Sequence, residues 1–291
     1  MTQVEIPGFS INRIPSMRHS EEQVVAGTGP LPVTVSSLIS DFQGLGIQSG
    51  MTLLVHSSLS SLGWVCGAAV AVILSLERTL GEKGTLVMPA FSGGLSEPSQ
   101  WHCPSVPENW WEIIRRETPA YDSNFTPTRG VGVVAETFRK QPGVIRSFHP
   151  QVSFAARGRF AKQICLNHSL DFALGDNSPL GRIYELDGHV LLLGVGYSNN
   201  TSFHLAEFRA DYPSKKTETF GAPLTLNDER VWLPLTDYNS DDSDFEAIGS
   251  VFEAQHPGDV RTGKIGNSTA RLLRQRPLVD HAVAWISSNR K

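Results

Sequence analysis

Length, composition and charge indicate a globular chain and exclude several classes of protein. The 291 residues are 40% hydrophobic and 19% charged, which is ordinary for a globular domain, and the formal net charge is −4. A chain with this charge is not expected to bind nucleic acid broadly, whereas it is compatible with a cationic substrate.

The sequence predicts neither a membrane span nor a targeting signal. No apolar run approaches the roughly 20 residues needed to cross a bilayer, and Met1 to Pro7 lack the basic and apolar regions of a signal peptide. Cys66, Cys103 and Cys165 are odd in number, widely spaced and form no CxxC pair, so we expect neither a disulfide framework nor a zinc site. We therefore expect a cytoplasmic protein with no metal and no membrane partner.

The first half of the chain has the pattern of an α/β protein. Residues 1–30 are polar, contain Pro and Gly, and are predicted to form a poorly ordered or surface-draped extension. Val33 to Gly46 has apolar residues at helical spacing and ends at a glycine. Met51 to Val55 predicts a buried strand, Ala68 to Leu80 an apolar helix, and Gly84 to Pro89 a second buried strand. This strand–loop–helix–strand order is typical of an α/β layer fold.

Residues 91–129 interrupt this pattern as a long insertion. They are rich in Gly, Pro and Ser and contain Trp101, Trp110 and Trp111, with one predicted helix at about 108–117. Insertions of this length usually cover an active site or carry disorder, and the tryptophans favour the covering role. Because no repeat or low-complexity linker follows, residues 31–291 are predicted to form a single domain that carries this insertion.

The second half of the chain is predicted to contain a central strand, His189 to Val195, bounded by Gly188 and Gly196. The other predicted elements are a helix at 131–139, a strand at 152–156, a short helix at 160–165, a capped helix from 176, β-like segments at 216–226 and 230–235, and helices at about 245–255 and 268–287.

The residues that follow this central strand are the strongest candidate for a catalytic site. Tyr197 to Ser202 is polar and turn-rich, and the helical pattern begins at Thr201 or Ser202. His204 and Glu207 are three residues apart, so both side chains leave the same helix face. A histidine and a carboxylate on the first turn after a strand are a common way to hold a general base. From spacing alone, a structural histidine beside a solvated glutamate is the competing interpretation.

Five motifs occur in order along the chain and suggest a known family. They are His56-Ser-Ser-Leu, Tyr121-Asp-Ser…Thr126-Pro-Thr-Arg-Gly, Arg146-Ser…His149-Pro…Ser153-Phe, Ser178-Pro-Leu-Gly and Asn200-Thr-Ser-Phe-His-Leu-Ala-Glu. Over about residues 33–287 the sequence resembles the aminoglycoside 3-N-acetyltransferase family. The resemblance implies transfer of acetyl from acetyl-coenzyme A to an amine of an aminoglycoside, at the 3-amino group of its deoxystreptamine ring, and hence antibiotic resistance. It also implies a three-layer α/β/α fold with a central mixed sheet, unrelated to the Gcn5-like acetyltransferases.

Two positions depart from the family's pattern without removing a reacting group. Ala68 follows Gly67 where a second glycine is frequent, and Phe203 replaces the usual Leu before the histidine.

The resemblance assigns the catalytic roles to the residues after the central strand. His204 becomes the general base that deprotonates the amine. Glu207 would hold the imidazole tautomer or attract the ammonium group. Thr201 would place its hydroxyl, with helix-start amides, against the thioester oxygen, and a helix N-cap is the alternative role for this side chain.

Two segments are predicted to bind the cofactor. The strand-end loop His56, Ser57, Ser58, Leu59 and Ser60 offers hydroxyls and backbone N–H groups to the pantetheine amides and pyrophosphate. Arg146 and Ser147 are predicted to meet a cofactor phosphate, with a surface ion pair as the alternative for the arginine.

A polycationic acceptor requires carboxylates and benefits from aromatic walls. The predicted acceptor-binding residues are Tyr121, Asp122, His149, Glu207 and Asp211, and the alternative role for His149 is to fix a turn. Further candidates in the acidic stretch 237–246 are Asp237, Asp241, Asp242 and Asp244, most of which are expected to be solvated.

Other interpretations of the site remain open at this point. The chain could acetylate another amine in natural-product metabolism, or Ser57 or Ser58 could serve as the nucleophile of a thioester hydrolase. No GxSxG elbow occurs, which weakens the hydrolase interpretation. Gly130-Val-Gly-Val-Val-Ala has the letters of a dinucleotide fingerprint but follows Thr-Pro-Thr-Arg rather than a strand, so we reject it. A homodimer is compatible with the sequence.

Overall fold

The computed structural model describes residues 15–102 and 104–291, without the side chains of residues 15–20. The first half of the predicted extension and Cys103 therefore lie outside the described residues. In the described part, residues 15–27 form a helix, α1 (Pro15–Gly27). Asn267 Nδ2 donates to the carbonyl of Gly27 at 2.7 Å, and the backbone N–H of Trp64 donates to Thr28 Oγ1 at 2.6 Å. The end of the extension is thus attached to the main domain.

The described chain is organised on a mixed sheet of seven strands. In chain order these are β1 (Thr52–Ser57), β2 (Thr85–Pro89), β3 (Ile145–Arg146), β4 (Phe154–Gly158), β5 (His189–Leu193), β8 (Val260–Ile265) and β9 (Ser268–Arg274), with a separate hairpin of β6 (Thr217–Leu226) and β7 (Glu229–Tyr238) between β5 and β8. The spatial order of the sheet is β3-β4-β2-β1-β5-β9-β8. The central strands β2, β1 and β5 are parallel, and the outer strands pair antiparallel.

Helices cover both faces of this sheet. They are α2 (Val35–Leu45), α3 (Ala68–Leu80), α4 (Trp111–Glu117), α5 (Gly132–Arg139), α6 (Ala161–Cys165), α7 (Pro179–Glu185), α8 (Ser202–Arg209), α9 (Phe245–Gln255) and α10 (Gln275–Asn289). Successive strand side chains point to opposite faces. Accordingly, Leu53 and Val55 of β1 pack with α2, α3 and α5 in one apolar cluster, whereas Leu54 packs with α6 to α10 in another. The predicted three-layer α/β/α fold is confirmed.

Local sequence explains where several of these elements begin and end. Thr34 accepts a hydrogen bond from the backbone of Ser37 at the start of α2, and Gly46 ends that helix with a φ of 102°. Ser178 caps α7 by accepting from the backbone N–H groups of Leu180 and Gly181, as expected for a capped helix with proline in its first turn.

The single helix predicted at about 268–287 is wrong. Ser268–Arg274 is the strand β9, and α10 begins at Gln275. The strand β8 before it was also missed. Residues of β9 alternate between buried and exposed over most of its length, and the strand lies between β5 and β8. Pairing with a buried strand outweighed the helical propensity of its Ala, Leu and Arg residues.

The insertion at 91–129 packs against the β6–β7 hairpin. The backbone N–H of Tyr121 donates to the carbonyl of Pro223 at 2.9 Å, and Arg230 Nε donates to the carbonyl of Thr118 at 3.1 Å. Among the helices described, we find none with the length and apolar character that a bilayer crossing requires.

Candidate active site

A cleft of about 790 Å³ opens where the parallel strands β1, β2 and β5 end. Open α/β sheets commonly bind ligands at this edge, and the volume is in the range of small-molecule sites. His56 and Ser57 enter the cleft from β1, and Pro89 enters from β2. Thr201 and His204 enter from the turn and helix that follow β5. Because β1 and β5 are in parallel register, with Ser57 opposite Leu193, these groups converge.

His204 forms a short hydrogen bond with a buried carboxylate. Its Nδ1 lies 2.6 Å from Glu207 Oε2, and the two side chains are 17% and 1% exposed. The carboxylate selects the tautomer with the proton on Nδ1, so Nε2 carries the free lone pair on a side chain that lines the cleft. The Phe245 ring packs edge-on against the imidazole with centroids 4.9 Å apart. This arrangement suits a general base.

Glu207 is fully engaged within the protein. Besides His204, its Oε1 accepts from the backbone N–H of Asp241 at 2.9 Å and from Arg290 Nη1 at 2.5 Å. Of the two roles predicted for Glu207, holding the imidazole tautomer fits this geometry. Direct attraction of an ammonium group, and with it a place among the acceptor-binding residues, does not fit a carboxylate so deeply buried.

Thr201 is bonded to a second cleft histidine rather than to the helix start. Its Oγ1 lies 3.3 Å from His56 Nε2, and its side chain makes no capping bond to α8. Asn200 provides the cap instead, with Oδ1 accepting from the backbone N–H of Ser202 at 3.1 Å. Burial, with a smaller contribution from His204, lowers the pKa of His56 to about 3, so the ring that faces Thr201 is neutral.

All five residues of the predicted cofactor loop, His56 to Ser60, line the cleft. The loop is fixed to the neighbouring strand because the backbone N–H of Ser58 donates to the carbonyl of Leu193 at 3.0 Å. Ser61 Oγ donates back to the carbonyl of Ser58 at 2.7 Å. Hydroxyls and backbone groups are therefore presented on a rigid edge beside His204.

The two residues predicted to meet a cofactor phosphate do not line the cleft. Arg146 donates to Ser153 Oγ at 2.9 Å and to the carbonyls of Thr126 and Ala90 at 2.5 and 2.7 Å. Ser147 is completely buried and accepts from the backbone N–H of Phe154. Arg146 thus ties the insertion to the sheet, and these positions do not support a phosphate-binding role for either residue.

The acceptor residues predicted at 121, 122 and 149 also lie outside the cleft lining. Tyr121 is buried and donates to the carbonyl of Ser147 at 2.9 Å. Asp122 accepts from the backbone N–H groups of Asn124 and Phe125 in a turn. His149 is 2% exposed, and its Nδ1 accepts from the two backbone N–H groups at 151 and 152. For His149, the alternative role of fixing a turn agrees with these bonds.

Asp211, also predicted to bind the acceptor, does not line the cleft but borders a separate pocket with Lys215. The carboxylates that do line the cleft come from two other segments. Asp242, in the acidic stretch, lines the cleft with His204, and so does Glu21 of α1. Glu21 was not among the predicted acceptor-binding residues, because the sequence of the extension did not indicate which of its side chains reach the cleft.

Sequence reasoning also missed the loop Gly130 to Val133. Its rejection as a dinucleotide fingerprint stands, but all four residues line the cleft. Gly130, just before α5, and Gly132, its first residue, adopt φ values of 78° and 81°, a conformation that favours glycine. The two glycines were the available signal. None of the three insertion tryptophans lines the cleft, whereas Phe91 does.

The departure from the family pattern at Ala68 coincides with unusual backbone geometry. Ala68 begins α3 at the rim of the cleft with a φ of 49°, which costs an L-residue with a Cβ about 1–2 kcal/mol. Phe203, the other departure, is completely buried and packs edge-on against Phe245. In the described ranges, no three His, Cys, Asp or Glu side chains come together as a metal site.

Solved structures with this architecture include acetyltransferases. The crystal structure of YokD from Bacillus subtilis superimposes with a TM-score of 0.89 at 44% identity, covering 92% of this chain and 98% of that chain. AAC-IIIb, solved as a binary complex with CoASH, gives 0.78 at 27% identity, covering 89% and 97%. AAC-VIa, solved with sisomicin bound, gives 0.81 at 26% identity, covering 89% and 99%.

Sequence comparison agrees with the structural likeness. The SPbeta prophage-derived aminoglycoside N(3')-acetyltransferase-like protein YokD of Bacillus subtilis strain 168 is 46% identical over 259 residues, which are 89% of this chain and 94% of the relative. Aminoglycoside N(3)-acetyltransferase VII of Streptomyces paromomycinus is 33% identical over 267 residues, covering 88% and 92%. The family model described as aminoglycoside 3-N-acetyltransferase matches residues 54–287. As its motifs predicted, the chain belongs to the aminoglycoside 3-N-acetyltransferase family, a family of acetyltransferases.

Proposed function

We propose that this protein transfers the acetyl group of acetyl-coenzyme A to an amine of an aminoglycoside, at the 3-amino group of the deoxystreptamine ring. The observation that carries the proposal is the hydrogen bond of 2.6 Å between His204 Nδ1 and buried Glu207, with His204 lining a cleft of about 790 Å³. Modification of the drug at this amine would confer resistance.

The cleft surfaces support binding of acetyl-coenzyme A beside His204. Ser57, Ser58 and Ser60 offer hydroxyls for the pantetheine amides, and Trp64 and Val133 offer apolar contact for the chain between them. AAC-IIIb, which shares this fold, was solved with CoASH. The loop Gly130 to Val133 supplies a further stretch of accessible backbone. No arginine lines the cleft among the described residues, so the phosphates are expected at its solvent-exposed mouth.

The mechanism follows from the two nitrogens of His204. Glu207 holds the proton on Nδ1, so Nε2 accepts a proton from the attacking amine as the new C–N bond forms at the thioester carbonyl. The buried carboxylate then stabilises the imidazolium. As the tetrahedral intermediate collapses, the C–S bond breaks and the proton on Nε2 passes to the departing thiolate. The Thr201 hydroxyl, which lines the cleft beside His204, would stabilise the oxyanion.

Charge supports a cationic acceptor. Asp242 and Glu21 both line the cleft and are exposed, and the chain has a net charge of −4. Two carboxylates on separate elements can bind separate ammonium groups of one polycation. AAC-VIa, a neighbour in fold, was solved with sisomicin.

Thiol release from acetyl-coenzyme A tests the proposed reaction. The purified protein is assayed without acceptor, with gentamicin, with kanamycin and with a simple monoamine, and mass spectrometry with NMR locates the acetyl group on the product. Release that requires an aminoglycoside, with acetylation at the 3-amino position, is the expected result. Release without any amine would indicate a hydrolase, release with the monoamine alone would indicate another acceptor, and no release would refute the proposal.

Replacement of the proposed base sharpens this test. We expect His204→Ala to reduce kcat at least about a hundredfold, the lower range for removal of a general base. His102 is exposed and lies outside the cleft, so His102→Ala is the matched control and should retain wild-type turnover. A folded His204→Ala protein with near-normal turnover would remove His204 from the mechanism.

A further inference from the structure

Arg290 lies directly after α10 and is nearly inaccessible, with a side chain 8% exposed. Its guanidinium reaches three groups at once. Nη1 donates to Glu207 Oε1 at 2.5 Å, Nη2 donates to the carbonyl of Asp241 at 2.5 Å, and Nε and Nη2 bind both carboxylate oxygens of Asp244 at 2.8 and 2.7 Å. The Tyr212 ring lies below, 5.3 Å from the guanidinium carbon.

These contacts connect the catalytic pair to the acidic loop. Glu207 also accepts from the backbone N–H of Asp241, so residues 241 and 244 are held on either side of the arginine. Asp242 lies between them and lines the cleft. One guanidinium therefore fixes both the carboxylate behind His204 and the loop that presents Asp242 to an acceptor.

The electrostatics explain why a cation is needed at this position. Glu207 is 1% exposed, and a buried carboxylate is costly unless it is paired and hydrogen-bonded. His204 is uncharged when it acts as a base, so it does not neutralise Glu207 before proton transfer. Burial would lower the pKa of Arg290, but its hydrogen bonds to Asp244 and Glu207 outweigh burial and raise that pKa above the ordinary value. Arg290 is thus a permanent counter-ion.

We propose that Arg290 is a positioning residue, which orients Glu207 for its bond to His204 and orders residues 241–244 at the acceptor side of the cleft. The effect of this positioning role on catalysis rests on the proposed function of His204 as the general base. Arginine suits the task because its planar fork binds two carboxylates in fixed directions, whereas a lysine ammonium cannot reproduce that geometry. The residue follows the segment 54–287 matched by the family model.

The kinetic test uses Arg290→Ala and Arg290→Lys. Since misplacement of a catalytic group by about 1 Å can cost 10²-fold, we expect Arg290→Ala to lower kcat about 10–100-fold. It should also raise KM for the aminoglycoside, because the loop with Asp242 is released, while KM for acetyl-coenzyme A stays within about twofold. Arg290→Lys should lose less, and added ethylguanidinium should restore part of the activity of Arg290→Ala.

The matched control is Arg274→Ala. Arg274 also pairs with two carboxylates, Asp187 and Asp259, at 3.3 Å, but it is 49% exposed and does not line the cleft. Its kinetics should be those of the wild type. An equal loss of kcat in both alanine variants would show that ion-pair removal acts through general destabilisation and would overturn the proposal.

A second readout does not depend on turnover. In protein labelled with ¹⁵N-histidine, the Nδ1 proton of His204 should give a resonance protected from solvent exchange, identified by its loss in His204→Ala. We expect this protection to weaken in Arg290→Ala and to persist in Arg274→Ala. If the wild type acetylates no aminoglycoside, the proposed function fails while this comparison still tests Arg290. If Arg290→Ala does not fold, Arg290→Lys is the variant that tests the positioning role. Wild-type kinetics together with an unchanged His204 resonance in Arg290→Lys would overturn the proposal.

Discussion

Two histidines in the same cleft have opposite surroundings. His204 has a carboxylate at Nδ1 and partial exposure, whereas His56 is hydrogen-bonded to a threonine hydroxyl. Burial, with a smaller contribution from His204, lowers the pKa of His56 to about 3. The ring that is hydrogen-bonded to a carboxylate is His204, and this is the arrangement that the proposed base requires. Neutral His56 is hydrogen-bonded to Thr201.

Thr201 was predicted to stabilise the oxyanion or to cap α8, and its side chain makes no capping bond. A substitution of Thr201 can therefore test the oxyanion role without removing a helix cap. We expect Thr201→Val to lower kcat about 10²–10³-fold, the cost of losing one oxyanion donor, while Thr201→Ser retains most activity. Stability should change by only about 1 kcal/mol, the net value of one hydrogen bond, because Asn200 provides the cap. Stopped-flow kinetics and urea unfolding measure the two effects, and unchanged kcat in a folded Thr201→Val protein would leave the hydroxyl without a catalytic role.

Arg146 shows where a sequence-based role was misleading. An arginine in a motif predicts a phosphate contact, but its donors bind backbone carbonyls of the insertion and of the segment after β2. We expect Arg146→Met to reduce the free energy of unfolding by about 2–4 kcal/mol, since buried carbonyls lose their donors. KM for acetyl-coenzyme A, measured at a temperature where the variant is folded, should stay within about twofold. A selective rise in that KM would restore the cofactor role.

At the scale of elements, the parallel strands at the centre of the sheet could be predicted from the sequence, whereas the antiparallel strands β8 and β9 at one edge could not. The helix at Ala68–Leu80 has the predicted bounds, and β1 and β2 lie on the predicted apolar runs that follow Gly50 and Gly84. These elements bury most of their residues, so hydrophobic periodicity reports them directly. β9 is recognisable only through its pairing with β5, and β8 only through its pairing with β9, which no local pattern encodes.

The start of α3 permits a prediction about backbone strain. Ala68 has a φ of 49°, so Ala68→Gly should relieve strain of about 1–2 kcal/mol, less the entropy cost of glycine. A net gain of about 0.5–1 kcal/mol is expected. Ala69, the next residue, is absent from the described positions with positive φ, so Ala69→Gly should instead lose about 1 kcal/mol. Chemical denaturation of both variants checks the contrast, and equal effects would contradict it.

At the scale of the whole molecule, the site depends on contacts that sequence order conceals. The motif around His204 predicted the hydrogen-bonded pair of His204 and Glu207 because both lie on one helix. Glu21 and Arg290 belong to distant segments and carry no local signal. Tyr121, Asp122 and His149 satisfied the composition of an acceptor site, but Tyr121 is buried against Ser147 and the other two side chains bind backbone N–H groups in turns. The family resemblance therefore predicted the class of reaction, acetyl transfer, whereas the residues that line the cleft could be identified only from the tertiary structure.

Buried neutral histidines should make global stability depend on pH. Burial is the main cause that lowers the pKa of His56 and His149 to about 3 and that of His168 to about 4, from an ordinary value of 6.5. Below about pH 6.5 the unfolded chain binds protons that the folded chain does not, so stability falls as the pH decreases towards these values. Each histidine contributes up to about 1.4 kcal/mol per pH unit.

Urea unfolding at about pH 7 and about pH 5 measures this dependence above the range where carboxylates titrate. The wild type should be clearly less stable at the lower pH. Replacement of His168 by Asn should reduce the difference between the two pH values, whatever its effect on absolute stability. Equal stability of the wild type at both pH values would show that these rings protonate in the folded protein.

The ion pair between Glu207 and Arg290 joins residues 83 positions apart, although every cleft-lining residue precedes position 246. A nascent polypeptide that has emerged from the ribosome only as far as α10 would thus contain every residue of the cleft wall and still lack Arg290, the cation paired with Glu207. The contact that holds the carboxylate behind His204 is therefore made by a residue synthesised after all those that line the cleft.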